Sequence, residues 1–232
     1  VITTIFFDAA GTLFRLPQSV GWHYRDVAAR FGCPLDEAAL TRAFRRAWQQ
    51  MPDSPTTRQP RPDDDKGWWF TLVNHVLDDC HVAPAALDRP AYFEALYTEF
   101  TKPHIWELFP DVRATLSALQ PHFRLGLISN FDGRLRPILA HLSLTGVFDP
   151  LIISSEVGAD KPDPWIFHRA LESAGVPAAD ALHVGDEPHG DWHGAAAAGL
   201  HIFKLDRPQN SLADLLTQLP SPRPEPGPPF PS

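Results

Sequence analysis

The stretch TTIFFDAAGTLF, residues 3–14, decides how the rest of the chain is read. Its first half, TTIFF, is a short apolar and β-branched run that predicts a strand, and it ends on a single carboxylate, Asp8. Gly11 and Thr12 follow at once, as in a strand that delivers a reactive side chain to a tight turn. Two residues beyond Asp8, where a second acid would complete an acid/base pair, stands Ala10.

Four further runs have the same character: RLGLIS (124–129), LIISS (151–155), ALHVG (181–185) and HIFKL (201–205). Helical patterns alternate with them, and the strands are almost continuously apolar, as strands covered on both faces must be. The predicted fold class is α/β, a Rossmann-like parallel sheet with helices on both faces, plus an inserted all-helical cap domain. More than a hundred residues separate the first strand from the second, far more than a crossover needs. Residues 16–104 carry amphipathic patterns such as VGWHYRDVAARFG, DEAALTRAFRRAWQQ, GWWFTLVNHVLDDC and AYFEALYTEF. The expected organisation is a catalytic core of residues 1–15 and 105–206, the helical cap of 16–104, a terminal helix in 207–219 and a proline-rich flexible tail, 220–232. Within the cap, MPDSPTTRQPRPDDDKG (51–67) predicts a loop, with Asp63–Asp65 read as solvated or as a helix start rather than a metal site.

With 232 residues the chain can bury a sizeable core, and its net charge of −8 argues against phosphate backbones or anionic membranes as partners. No apolar stretch approaches the roughly 20 residues of a membrane span. Its two cysteines, Cys33 and Cys80, lie in unrelated segments, and no signal segment opens the chain, which together predict a cytoplasmic location. The predicted partner is a small-molecule substrate, with neither nucleic acid nor membrane; use of the tail as a polyproline ligand is the minor reading.

Open parallel sheets bind ligands beyond the carboxyl ends of their strands. There the first strand delivers Asp8, the second Ser129 and Asn130, the segment after the third Lys161, and the fourth Asp186, Glu187 and Asp191. Any one of these is ordinarily a turn former; the set in this order points to an active site. Carboxylates converging on one rim repel unless a cation joins them, and these are hard oxygen ligands suited to Mg²⁺. Lys161 adds a point charge, Ser129 a hydroxyl, and the amides of the Gly11–Thr12 turn can cradle the oxygens of a phosphate. Asp8 is placed to attack as a nucleophile and form an aspartyl intermediate. Arg15, just past the first motif, and Arg42, Arg45 and Arg46 on a cap helix are candidates to grip substrate. His183, His189, His193 and His201 read as surface or supporting histidines, and most of the cap's tryptophans as core.

The motifs FFDAAGTLF, LISNFDGRL, KPDPWIFHRAL and HVGDEPHGDWHGAAAAGL, in this order, resemble the haloacid dehalogenase superfamily of hydrolases over about residues 1–206. The segments ISNFDGRL, FDPLIISSEVGADKPDPWIF, GWWF and LYTEFTKPHIWELF are similar to its rhythmically expressed gene 2-like branch, also called the haloacid dehalogenase-like hydrolase domain-containing 3 group. The resemblance implies Asp8 as nucleophile, Ser129 and Lys161 holding the transferred group, and Mg²⁺ bound by Asp8, Asp186 and the backbone carbonyl of Ala10, with Asp191 orienting that shell. Phosphatases of the superfamily carry an acid at the place of Ala10, so slow turnover of alkyl phosphates is expected, with Glu187 or His189 as possible stand-ins. Three readings stay open: a phosphatase-type hydrolase, a binding or regulatory protein without turnover, and a haloacid dehalogenase or phosphonatase.

Overall fold

The computed structural model describes residues 1–207 and 209–219; the expected proline-rich tail, 220–232, lies outside the described residues. In chain order the first elements are β1 (Thr4–Phe7), β2 (Phe14–Arg15), α1 (Val20–Arg30), α2 (Glu37–Gln50), α3 (Lys66–Asp79), α4 (Arg89–Glu99), β3 (Glu107–Leu108) and α5 (Val112–Leu119). The remainder are β4 (Arg124–Ser129), α6 (Leu135–His141), β5 (Leu151–Ile153), α7 (Ser154–Val157), α8 (Pro164–Ala174), β6 (Ala181–Gly185), α9 (Gly194–Ala197), β7 (His201–Lys204) and α10 (Leu212–Gln218).

Five strands form one parallel sheet in the order β5-β4-β1-β6-β7. β1 lies at its centre with all four residues buried, which is why Ile5, Phe6 and Phe7 run apolar in succession instead of alternating. Successive side chains of a strand point to opposite faces, and the cores follow that rule. Ile5 and Phe7 pack with Leu116, Ile138 and Leu215 from α5, α6 and α10. Phe6, on the other face, packs with Ile166, Phe167 and Ala170 of α8 and Ala195 of α9. Burying each such side chain contributes about 1.5–3 kcal/mol, so this strand anchors both helical layers.

Helices α1 to α4 interrupt the core between β2 and β3 and share an apolar cluster of their own, including Tyr24, Val27, Leu40, Leu72, Val76 and Leu96. Their starts follow from local chemistry: Ser19, Asp36 and Asp88 accept hydrogen bonds from the amides of Trp22, Ala39 and Ala91. The short antiparallel pair β2–β3 joins the two chain crossings at the base of this insert. Two-residue strands give no periodicity, and the sequence did not announce them.

Two expectations change. The predicted strand 151–155 stops at Ile153, because Ser154 and Ser155 open α7. The Ser154 hydroxyl exchanges hydrogen bonds with the backbone of Phe131, donating to its carbonyl at 3.1 Å and accepting from its amide at 3.2 Å, which replaces strand pairing. The segment before α3 is a loop, but not a freely solvated one. Asp64 accepts from the Ser155 hydroxyl at 2.5 Å and the Gly133 amide at 2.8 Å, while Arg61, 9% exposed, bridges Asp65 and Asp160. Asp63 accepts from the amide of Gly67 in the first turn of α3. Asp64 therefore connects the insert to the sheet domain, as Asp65 does through Arg61, while Asp63 serves the start of α3 as expected. Cys33 and Cys80 are free thiols, and no described helix is long and apolar enough to cross a membrane.

Candidate active site

Parallel register brings the polar residues to one rim. Phe7 pairs with Leu127 on one side and Val184 on the other, and the Asp8 amide donates to the Val184 carbonyl at 2.8 Å. Asp8 therefore leaves the sheet beside the ends of β4 and β6. The turn after it needs glycine: Gly11 has φ +93°, and a Cβ there would collide with the carboxylate of Asp186. Gly185, the last residue of β6, leaves room for Asp191 in the same way, since a Cβ would strike its carboxyl carbon. Gly185→Ala is accordingly expected to displace Asp191 and destabilise the fold by about 1–3 kcal/mol. A urea midpoint equal to that of the parent protein would contradict this packing.

Three carboxylates, Asp8, Asp186 and Asp191, each present an oxygen so placed that all lie within 4.8 Å of one another. The Lys161 ammonium sits among them, 2.6 Å from Asp8 Oδ1 and 2.6 Å from Asp191 Oδ1. Asp191 also meets His183 Nε2 at 2.8 Å and accepts from the Glu187 amide at 3.0 Å, so both its oxygens are engaged. The Thr12 hydroxyl donates to Asp186 Oδ1 at 2.8 Å. Burial pushes the Asp8 carboxyl up to about 7, with Lys161 opposing and the charges of Asp191 and Asp186 reinforcing the rise. Burial also raises Asp186. For Asp191 burial acts upward too, but Lys161 and His183 outweigh it and hold the group well below the usual range. Burial disfavours the Lys161 charge, yet Asp8 and Asp191 keep it above the ordinary lysine value. His183 is driven down by burial, which keeps its ring neutral despite Asp191.

The donor set suits a hard divalent cation. Asp186 has a carboxylate oxygen not taken by Thr12, and among the described residues no donor reaches the Ala10 carbonyl. Asp8, Ala10, Asp186, Asp191 and Glu187 all line one cavity or lie against it.

The structure sorts the sequence candidates. Asp8, Ser129, Asn130, Lys161, Asp186, Glu187 and Asp191 meet at this cavity. Asn130 is spent on shaping it: its amide group donates to the Lys161 carbonyl at 2.9 Å and accepts from the Lys161 amide at 2.6 Å. Thr12 is fully buried and bonded to Asp186, so its side chain supports the turn instead of facing a ligand, while Gly11 contributes only close approach. Glu187 accepts from the amides of His189 and Gly190, capping a π-helical turn, Pro188–His193. Arg15 is not brought to the cavity. It stands exposed on β2, paired with Glu107 at 2.8 Å and stacked on Phe109, because strand alternation turns it away from buried Phe14. Of the three arginines on α2, Arg45 lines the cavity and Arg46 pairs with Asp79. His189 is exposed and does not line it.

The cavity, about 550 Å³, extends from Asp8 up into the helical insert. Its upper wall is aromatic, with Tyr24, Phe44, Trp48, Trp69, Tyr97 and Phe131 among its residues. Of the insert's tryptophans, Trp68 and Trp69 pack against its core and Trp69 also lines the wall, while Trp48, 49% exposed, belongs to the wall alone. Arg134 was not foreseen either. Asp132, fully buried, grips its guanidinium at 2.8 and 2.6 Å, and the rings of Tyr97 and Trp69 lie 3.8 and 4.7 Å from it. Nor was Arg207, whose guanidinium pairs with Asp111 at 3.0 Å and donates to the carbonyls of Gly11 and Thr12, clamping the turn after Asp8.

A parallel α/β sheet whose first strand runs into a buried aspartate, with a buried lysine and a rim of acids beside it, is the arrangement expected from the sequence motifs of a haloacid dehalogenase-type hydrolase. The family model described as haloacid dehalogenase-like hydrolase matches residues 2–199, and the chain belongs to that family. Among curated proteins it is 35% identical to haloacid dehalogenase-like hydrolase domain-containing protein 3 of Danio rerio, over 88% of this chain and 84% of that protein. It is 30% identical to the rhythmically expressed gene 2 protein of Drosophila melanogaster, over 85% and 80% of the two chains. Among solved structures, a defluorinating L-2-haloacid dehalogenase aligns with a TM-score of 0.73 at 21% identity, covering 89% of this chain and 82% of its own. A HAD phosphatase from Thermococcus onnurineus aligns at 0.66 and 21% identity, covering 94% and 97%. These two structures share the fold.

Proposed function

We propose that this chain is a Mg²⁺-dependent hydrolase of phosphatase type, acting on a small phosphorylated molecule whose leaving group departs without a donated proton. The observation that carries this reading is the buried cluster in which Lys161 joins Asp8 and Asp191 while Asp186 stands beside them. A buried lysine 2.6 Å from the attacking oxygen is positioned to hold a phosphoryl oxygen next to Asp8. Asp8, Asp186 and the carbonyl of Ala10 are the groups that would hold the cation, Asp191 fixes their neighbour Lys161, and Glu187 lies at the edge of the set. The ion, when bound, neutralises phosphate charge and the mutual repulsion of the carboxylates. Asp8 attacks phosphorus, Ser129 and Lys161 retain the transferred group, and Ala10 offers no proton to the departing oxygen. In this reading residues 16–104 act as a cap over the core of 1–15 and 105–206, and they select the molecule that enters.

Intact-protein mass after brief mixing with Mg²⁺ and acetyl phosphate tests the proposal. A phosphate adduct is expected, absent from Asp8→Asn and after chelation by EDTA, with slow release of free phosphate. Absence of both adduct and release in the parent protein would instead support a binding protein without turnover.

A further inference from the structure

The proposed hydrolase reading leaves the leaving group undefined, and two independent features of the site bear on it. The first is chemical. At position 10 stands a methyl group, exposed and lining the cavity, and the nearby carboxylate of Glu187 is held by the amides of His189 and Gly190. Position 10 therefore offers no proton to a departing oxygen. An alkoxide is then a poor leaving group, whereas a phenolate, whose conjugate acid has a pKa of about 10, departs unaided. The second feature is shape. Above Asp8 the cavity is walled by rings, and Arg134 lines it with its guanidinium 3.8 Å from the Tyr97 ring and 4.7 Å from that of Trp69. Arg134 is 8% exposed and held on one side by Asp132, while its Nη1 has no hydrogen-bond partner among the described residues. Such a wall, rich in rings and with Arg45, Gln49 and Arg134 among its polar groups, suits a planar ring.

We infer that the substrate is an aryl phosphate, a phosphate monoester of a phenol-type ring, and that Trp69 and Arg134 are specificity-determining residues that receive the ring. This rests on the proposed phosphatase chemistry. In the first step an Asp8 oxygen forms a bond to phosphorus while the phosphorus–oxygen bond to the ring breaks, its electron pair leaving on the phenolate. In the second, water adds to phosphorus and the Asp8–phosphorus bond breaks back to carboxylate. One proton of that water stays on inorganic phosphate and the other ends on the phenol.

Three probes separate the elements of the inference in the full chain with Mg²⁺. Phenyl phosphate has both ring and leaving group; benzyl phosphate has the ring on an alkyl oxygen; acetyl phosphate has a good leaving group and no ring. Phenyl phosphate is expected to exceed benzyl phosphate in kcat/KM by about 10²-fold or more, and to show the lowest KM of the three. Trp69→Ala and, separately, Arg134→Met should each lower the phenyl-to-acetyl ratio of kcat/KM by about tenfold. Trp69→Ala decides the matter should loss of Arg134 beside buried Asp132 prevent folding. Equal turnover of benzyl and phenyl phosphate, or a ratio that neither variant moves, overturns the aryl assignment and leaves the phosphatase reading standing. Failure of acetyl phosphate to modify Asp8 removes both.

Discussion

Ala10→Asp is expected to raise Mg²⁺-dependent hydrolysis of an alkyl phosphate such as benzyl phosphate by about 10²- to 10⁴-fold, the usual contribution of a positioned general acid/base. The site lacks that group and little else. Asp8 is buried beside Lys161, Asp191 is fixed by three partners, and position 10 lies open at the cavity with room for a carboxylate. The backbone there is already held, since Gly11 donates to the Phe14 carbonyl at 2.8 Å and Arg207 clamps the following carbonyls. The new acid would protonate the departing alkoxide and then activate water on the aspartyl phosphate. The adduct seen with acetyl phosphate should therefore become short-lived in the variant. Unchanged alkyl turnover, with the variant folded, would mean that the missing acid does not limit the reaction, and the phosphatase reading would lose its main explanation for slow chemistry.

The sheet and the rim were legible because both rest on local sequence. Strands covered on both faces are apolar along most of their length, as in β1, β4 and β6, and each of these ends on or is followed at once by its polar payload. Contacts between distant segments left no such mark. Arg207 reaches the turn at Gly11 across nearly the whole chain, and Asp64 reaches Ser155 from the middle of the insert. In sequence both look like ordinary charged loop residues. Arg15 failed as a candidate for the opposite reason: proximity to Asp8 along the chain suggested a role that the alternation of β2 denies it. Arg134 stood within the quoted motif ISNFDGRL, and its spacing two residues after Asp132 could have raised the question of a paired guanidinium. The rings that complete its surroundings come from α3 and α4, and no local pattern could have named them.

Lys161→Met is expected to reduce aspartyl-phosphate formation by about 10²- to 10³-fold and to destabilise the metal-free protein by about 3 kcal/mol at neutral pH. The side chain is nearly isosteric, so the loss reports charge. Without the ammonium, Asp8 and Asp191 face each other across a buried site with their shared cation gone. The pH dependence follows from the shifts. In the parent protein Lys161 is raised above its ordinary 10.5, so its contribution is fully present below that value and is lost as pH rises through the higher folded value. Asp191 is depressed below 3.8, so its contribution is present above pH 3.8 and is lost as pH falls through the folded value. Both contributions are complete at neutral pH. Asp8 behaves differently: raised to about 7, it holds a proton in the fold that the unfolded chain has released, and this favours folding less and less as pH climbs from about 4 to 7. Lys161 opposes the rise at Asp8, so in the variant that carboxyl keeps its proton to still higher pH. The deficit should be smaller below pH 7, where Asp8 is protonated in both folded proteins, and grow as pH rises above 7, where only the parent's Asp8 ionises. Urea unfolding of both proteins in EDTA from about pH 5 to 9 measures it. A deficit independent of pH would mean that Lys161 acts through packing alone, and the electrostatic account of the cluster would have to be abandoned.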